Sequence, residues 1–226
     1  MWSYDNKKII MENNINTIKD KFTETYSNHK WKHGTGESKS GEGSSLYWTE
    51  NYRDELTKII DKYSIKKILD CSCGDWNWMK LLSDKLIDYT GVDIVEELIK
   101  SNNEKYSTNN IKFICSDMYS FLANNKEEYD LIICRHTFEH LPTEYGLNTM
   151  KLIKDKTKYF LFSSQDTIKN NEISFDGYAS RNLNLILEPY SNLLGEPIYR
   201  FIDSPLNVDK NVVYNNVFGN LYKSNK

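Results

Sequence analysis

Proline is scarce in this chain, with four residues in 226, so polyproline segments are excluded and most elements run without a built-in break. Long apolar runs are absent as well. None approaches the roughly 18 residues that a bilayer-spanning helix needs, so no membrane partner is expected. The start, MWSYDNKKIIMENN, lacks the apolar core of a secretory signal, which points to a cytoplasmic protein. Cysteine is limited to Cys71, Cys73, Cys115 and Cys134. Three of these close short apolar runs or sit in a turn, so the cysteines read as reduced residues of an intracellular core. Cys71 and Cys73 have no further ligands at zinc spacing, and no metal is expected. An excess of basic charge is also missing: 29 Lys and Arg face 32 Asp and Glu, a net charge of -3. Such a surface gives no footing for a nucleic-acid partner.

What is present is an alternation. Strand-like runs fall at Lys67–Cys71, Tyr89–Ile94, Ile111–Ser116, Tyr129–Cys134 and Tyr159–Ser163. Helix-like segments lie between them at Trp76–Leu86, Val95–Lys105, Tyr119–Asn124 and Tyr145–Ile153. This pitch predicts βαβ units in an α/β fold with a mainly parallel sheet. The tail reads differently: PIYRFID and NVVYNNVFGNLYK suit an antiparallel pair at one edge. Residues 164–196 form an irregular insertion before that pair. Ahead of the sheet, residues 1–30 are predicted helical in part, with Ile15, Ile18 and Phe22 on one side. HGTGESKSGEGSS is a Gly/Ser-rich loop at 33–45, and Leu46, Leu56, Ile59, Ile60 and Tyr63 recur at helical spacing. The division is a helical extension with a cofactor loop over 1–45 and a catalytic domain over 46–226.

The stretch KKILDCSCGDWNWM carries the first chemical signal. A buried strand ends at Asp70, a tight turn with Gly74 follows, and a helix is expected next. That is the opening unit of a nucleotide-binding α/β fold, whose ligands lie at the carboxyl ends of the strands. The second strand ends at Asp93, about twenty residues on, where an acid can accept bonds from ribose hydroxyls. The third ends at Asp117, placed to meet an adenine amino group with Met118 over the ring. Three acids in phase, with Asp75 beside them, would repel a pyrophosphate. They suit a ligand with a positive centre, and S-adenosylmethionine carries an ammonium and a sulfonium beside an adenosine.

At these residues the chain resembles the class I S-adenosylmethionine-dependent methyltransferases. The usual first motif spaces three glycines where Ser72, Gly74 and Trp76 stand here. A narrower group of small methyltransferases shares the pattern SGxGSS, LDxxCGDxNWM, CRxxxxHL and LNLxxEPF. This chain has SGEGSS at 40–45, LDCSCGDWNWM at 69–79, CRHTFEHL at 134–141 and LNLILEPY at 183–190. That group includes glycan-modifying enzymes and a viral sugar methyltransferase domain. The resemblance implies a Rossmann-like, seven-stranded sheet and S-adenosylmethionine as cofactor. It implies that Asp70, Cys71, Ser72, Cys73, Gly74 and Asp75 line the methionine end. Asp93 and Ile94 would hold the ribose, and Ser116, Asp117 and Met118 the adenine. Ser40, Gly41, Ser44 and Ser45 would fold over the cofactor, with Arg53 on its carboxylate and Cys134 behind it. Trp76, Asn77 and Trp78 would cap the helix and wall the methyl channel, with Trp76 on the acceptor side.

The fourth strand ends in IICRHTFEHLP, where acceptor contacts fall in this fold. A sugar hydroxyl must lose a proton, and His136 is the expected base, with His140 the second choice and Arg135 and Glu139 in support. His136, Glu139 and His140 also spell H-x-x-E-H, but Pro142 cuts short the helix that such a zinc site needs. Asp166, Tyr178, Arg181 and Asn184 are expected on the acceptor side, where planar polar groups beside aromatics suit a small-molecule or glycan acceptor. Two other readings stay open: methylation of a small amine or polypeptide side chain, and a non-catalytic cofactor-binding scaffold. The oligomeric state has no signature in the sequence.

Overall fold

The computed structural model describes residues 4–31, 36–167, 169–170, 183–203 and 217–224, with side chains of the first helix from residue 15 onward. Apolar residues on both faces of the central strands set the architecture. The strands are β1 (Lys67–Cys71), β2 (Asp88–Asp93), β3 (Ile111–Cys115), β4 (Tyr129–Cys134), β5 (Thr157–Gln165), β6 (Tyr199–Ile202) and β7 (Val217–Lys223). They form one seven-stranded sheet in the order β3-β2-β1-β4-β5-β7-β6. The first five pair in parallel, and β7 runs antiparallel to both β5 and β6. This is the expected Rossmann-like α/β arrangement with its antiparallel edge pair. Residues 211–216, read from the sequence as part of the last strand, lie outside the described residues.

The period of two along each strand feeds two cores. Ile68, Leu131, Ile133 and Leu161 face a layer that includes Leu56 and Ile59 of α2 (Glu50–Tyr63). Leu69, Cys71, Ile132, Cys134, Phe160 and Phe162 face the opposite layer. That layer carries Leu122 of α4 (Met118–Asn124) and Met150 and Ile153 of α5 (Thr143–Lys156). Each such side chain contributes roughly 1.5–3 kcal/mol on burial, so the sheet is fixed from both sides. α3 (Glu96–Tyr106) joins β2 to β3, and α6 (Tyr190–Leu194) is a short helix inside the segment expected to be irregular. The first helix, α1, runs Tyr4–Ser27. Among the described residues no helix is long and apolar enough to cross a membrane.

Two expectations are corrected. The helix expected over Trp76–Leu86 is only a 3-10 run at Met79–Lys85. Ser72, Gly74 and Trp76 all take positive φ, and alternating left-handed residues cannot propagate an α-helix. Cys115 is exposed at the end of β3, whereas Cys71, Cys73 and Cys134 are buried as expected.

The switch in strand order falls between β1 and β4, whose neighbours β2 and β5 extend in opposite directions. Parallel strands that diverge there leave a crevice beyond their carboxyl ends.

Candidate active site

A partly open cavity occupies that crevice. Its floor is the turn after β1. Ser72 and Cys73 N–H groups both donate to Val92 O, at 2.7 and 3.0 Å, which pins the turn against β2. Ser72 (φ 69°), Gly74 (57°) and Trp76 (57°) are left-handed. These are the three positions where the common motif has glycine, so the backbone path survives with two glycines replaced. A side chain in that region costs roughly 1–2 kcal/mol. Packing offsets it at Trp76, whose indole lies 4.9 Å from Tyr106 and 5.2 Å from Phe113, ring centre to ring centre. Trp76 is therefore a core residue away from the cavity, and its expected acceptor role is corrected. Trp78 does line the cavity.

Gly74 has a separate reason. A Cβ there would lie 2.4 Å from Ser40 Oγ. Gly74→Ala is therefore expected to displace residues 38–40 and raise trypsin cleavage after Lys39 by tenfold or more, at about 1–2 kcal/mol of added backbone strain. Wild-type cleavage rates in that variant would contradict the geometry.

Asp70, Asp93 and Asp117 end β1, β2 and β3 or follow them, and all three line the cavity while almost fully buried. Tyr89 Oη donates to Asp70 Oδ2 at 2.8 Å. Burial pushes the Asp70 carboxyl up to about 7, with Asp93's charge adding and the Tyr89 bond and Arg135 opposing. Asp93 accepts from Gly74 N and Val95 N, both at 3.0 Å. Burial still raises it to about 6, against those backbone bonds. Asp117 caps α4 by accepting from Ser120 N at 2.9 Å and also accepts from Tyr145 Oη at 3.1 Å. Ile94, Ser116 and Met118 stand beside these acids as expected. Two carboxyls raised by burial make a site that a cationic ligand would relieve, and S-adenosylmethionine fits that demand.

The cover is built from the chain's start. Asp75 accepts from Ser38 Oγ (2.9 Å), Lys39 N (2.6 Å) and Ser40 Oγ (3.1 Å). Asn77 Nδ2 donates to Glu37 Oε1 (2.6 Å) and Ser44 O (3.1 Å). The two polar residues of GDWN thus tie down the SGEGSS loop. Ile18, Phe22, Tyr26 and Trp31 add an apolar wall, and Tyr26 Oη donates to Ser40 Oγ at 3.0 Å.

His136 enters the cavity from the turn after β4 with φ 51°. Its Nδ1 lies 2.8 Å from Glu139 Oε1 and its Nε2 lies 3.5 Å from Asp203 Oδ2. Burial pushes Glu139 up, but the hydrogen bond and charge of His136 outweigh it and hold the carboxyl at about 2. Arg135 Nε and Nη2 both donate to Asp203 Oδ1, at 3.0 and 2.7 Å, and Nη1 donates to Gly43 O at 2.8 Å.

Several expected residues sit elsewhere. Arg53 turns back to Leu46 O at 2.8 Å and does not line the cavity, because its own helix start offers the nearer acceptors. His140 packs against Phe22 and Trp31, and burial lowers its pKa, so it braces α1. Cys71 and Cys134 point into the core, Ser45 is a buried loop residue and Gly41 lies under Trp31. Asp166 is exposed 3.9 Å from Arg200, and Asn184 is buried with Nδ2 on Thr167 O at 2.9 Å, so neither lines the cavity. Tyr178 and Arg181 lie outside the described residues. The sequence reading missed Asp203, Tyr89 and Tyr145. Asp203 alone had a signal, as a polar residue closing an apolar strand.

Comparison with known proteins agrees with this geometry. Residues 68–158 match the family described as Methyltransferase domain. A malonyl-[acyl-carrier protein] O-methyltransferase of Acetivibrio thermocellus is 34% identical over 97 residues, 42% of this chain and 33% of that protein. A ubiquinone biosynthesis O-methyltransferase of Saccharophagus degradans is 26% identical over 95 residues, 41% of this chain and 38% of that protein. The chain thus spans well under half the length of these two curated relatives. The N-methyltransferase NodS from Bradyrhizobium japonicum WM9, in complex with S-adenosyl-l-homocysteine, superposes with a TM-score of 0.66 at 11% identity, covering 89% of this chain and 99% of that one. Over residues 68–158 the chain is thus similar to methyltransferases, and it shares the fold of NodS.

Proposed function

We propose that this protein is an S-adenosylmethionine-dependent O-methyltransferase acting on a sugar hydroxyl, in a nucleotide sugar or at a glycan end. The observation that carries the reading is His136, held in the cavity wall between Glu139 and Asp203. When bound, S-adenosylmethionine supplies an electrophilic methyl group on a sulfonium. Asp70 would face its cationic end, Asp93 would accept from the ribose hydroxyls and Asp117 from the adenine amino group. Trp78 and the α1 wall keep water out.

His136 does the work that a hydroxyl requires. Glu139 holds Nδ1 at 2.8 Å, which makes Nε2, 3.5 Å from Asp203, the nitrogen that would exchange a proton with the hydroxyl. The resulting imidazolium lies between two carboxylates, one already balanced by Arg135. The trio of Glu139, Asp203 and Arg135 carries one net negative charge, and the proton brings it to zero. A neutral amine would need no such base. Both curated relatives are named O-methyltransferases, which supports oxygen as the accepting atom.

Incubation with methyl-labelled cofactor and a panel of nucleotide sugars and oligosaccharides is expected to label at least one carbohydrate. Label on amines or polypeptide alone, with every carbohydrate inert, would overturn the sugar reading.

A further inference from the structure

We propose that Arg135 and Asp203 are a positioning pair that couples docking of the 36–45 loop to the orientation of His136. The inference rests on His136 being the base and names what holds it in register with the cofactor cover.

Each nitrogen of Arg135 is engaged within the protein, by three of its five N–H groups. Nε and Nη2 are on Asp203 Oδ1, and Nη1 is on the backbone oxygen of Gly43. Its guanidinium also lies 5.0 Å from the Tyr52 ring centre and 5.8 Å from that of Trp78. The pair is buried, with side chains 6% and 1% exposed. Asp203 divides its two oxygens. Oδ1 takes Arg135, while Oδ2 accepts from Ser163 Oγ at 3.1 Å and faces His136 Nε2 at 3.5 Å. A single rigid link therefore runs from Gly43 in the cover, through the planar fork of Arg135, to the carboxylate beside the base.

The link has a physical consequence in each direction. With the loop docked, Gly43 O fixes the guanidinium plane, and the plane fixes Asp203. With the loop released, Arg135 loses one of three anchors, and Asp203 gains freedom beside His136. Lysine cannot replace this function, since an ammonium on a flexible stem does not hold Asp203 and Gly43 in one plane. Among the described residues, Glu139 and His140 are the other titratable groups that act on His136. Asp203 does not line the cavity, so an effect of Asp203 on cofactor affinity has to pass through the cavity residues it faces, Arg135 and His136, and Arg135 is the one tied to the loop.

The test uses the full chain, S-adenosylhomocysteine as probe, and trypsin cleavage after Lys39 as the report of loop docking. Asp203→Asn and Arg135→Lys are each expected to weaken S-adenosylhomocysteine binding about tenfold, inside the roughly 5–150-fold span of coupled sites. Both are expected to speed cleavage at Lys39. The double variant is expected to be no weaker than either single one, because the two act along one link. From the other end, Asn77→Ala, which frees the loop, is expected to shift the ring 15N resonances of His136, and to lose that effect in an Arg135→Lys background. Wild-type affinity and cleavage in Asp203→Asn would overturn the coupling, as would additive losses in the double variant. Should Asp203→Asn fail to fold, Arg135→Lys keeps the charge opposite Asp203 and carries the comparison. If the wild-type protein does not bind the probe, the methyltransferase reading fails, while the cleavage rates and the His136 resonances still decide the coupling.

Discussion

His136→Asn is expected to lower methyl transfer to the sugar acceptor by roughly 10²–10⁴-fold, the usual worth of a general base. Asparagine suits the test. His136 sits at φ 51°, and asparagine tolerates that left-handed region better than most residues. Its amide cannot take a proton, so the fold stays and the chemistry goes. Since His136 meets the acceptor and not the cationic end of the cofactor, S-adenosylhomocysteine affinity is expected to stay within about twofold, a difference below 0.5 kcal/mol. Glu139→Gln makes a graded companion. A glutamine oxygen still accepts from Nδ1–H, so the tautomer is kept and only the charge is lost. Its cost is that of exchanging a charge-assisted bond for a neutral one, about tenfold. An undiminished rate in His136→Asn would mean that the acceptor arrives ready to react, as a neutral amine does, and the oxygen reading would fall.

The three strand-end acids that line the cavity were legible in the sequence because the signal is local. Asp70 and Asp93 stand at the ends of strands of five and six residues and Asp117 just past one of five, and a parallel sheet brings strand ends together. The acceptor side depends on contacts between distant residues. Arg135 and Asp203 are 68 residues apart, and they meet only in the folded chain, where the residue after β6 pairs with the residue after β4. Arg53 and Trp76 were misplaced for a related reason. Each has the chemistry for the expected role, but side-chain direction follows from backbone turns that residue types do not encode. Ser72 and Trp76 in left-handed conformations are the clearest case, since propensity alone argues against both. Asp75 and Asn77 were read as cofactor-facing and helix-capping residues. The structure ties both to the cover loop, whose Gly/Ser composition makes it dependent on such anchors, and Asp75 lines the cavity as well.

Asp70 gives the second large effect, and it works in opposite directions on stability and on binding. Burial raises its folded-state pKa to about 7 from an ordinary 3.8. A raised carboxyl favours the folded state when protonated. Its contribution is present in full below about pH 4 and is lost as pH rises through 7. A shift of about three units corresponds to roughly 4 kcal/mol. Asp70→Asn mimics the protonated form and keeps an acceptor for Tyr89 Oη. It is expected to melt higher than the wild type at pH 8 by up to that amount, with the gap closing near pH 4. Binding runs the other way. The ammonium of S-adenosylhomocysteine needs the ionised carboxylate, so affinity is expected to rise about tenfold from pH 6 to pH 8. Asp93, raised to about 6, steepens the loss further below that range. Asp70→Asn is expected to bind weakly at pH 8 and to flatten the profile between pH 6 and 8. Calorimetric titrations across that window, with melting curves of the unliganded protein, measure both slopes. A cofactor affinity indifferent to pH, or an Asp70→Asn protein that binds as the wild type does, would remove Asp70 from the cationic end. A variant that loses affinity while gaining stability would show that this strand end is kept unstable for the ligand's charge.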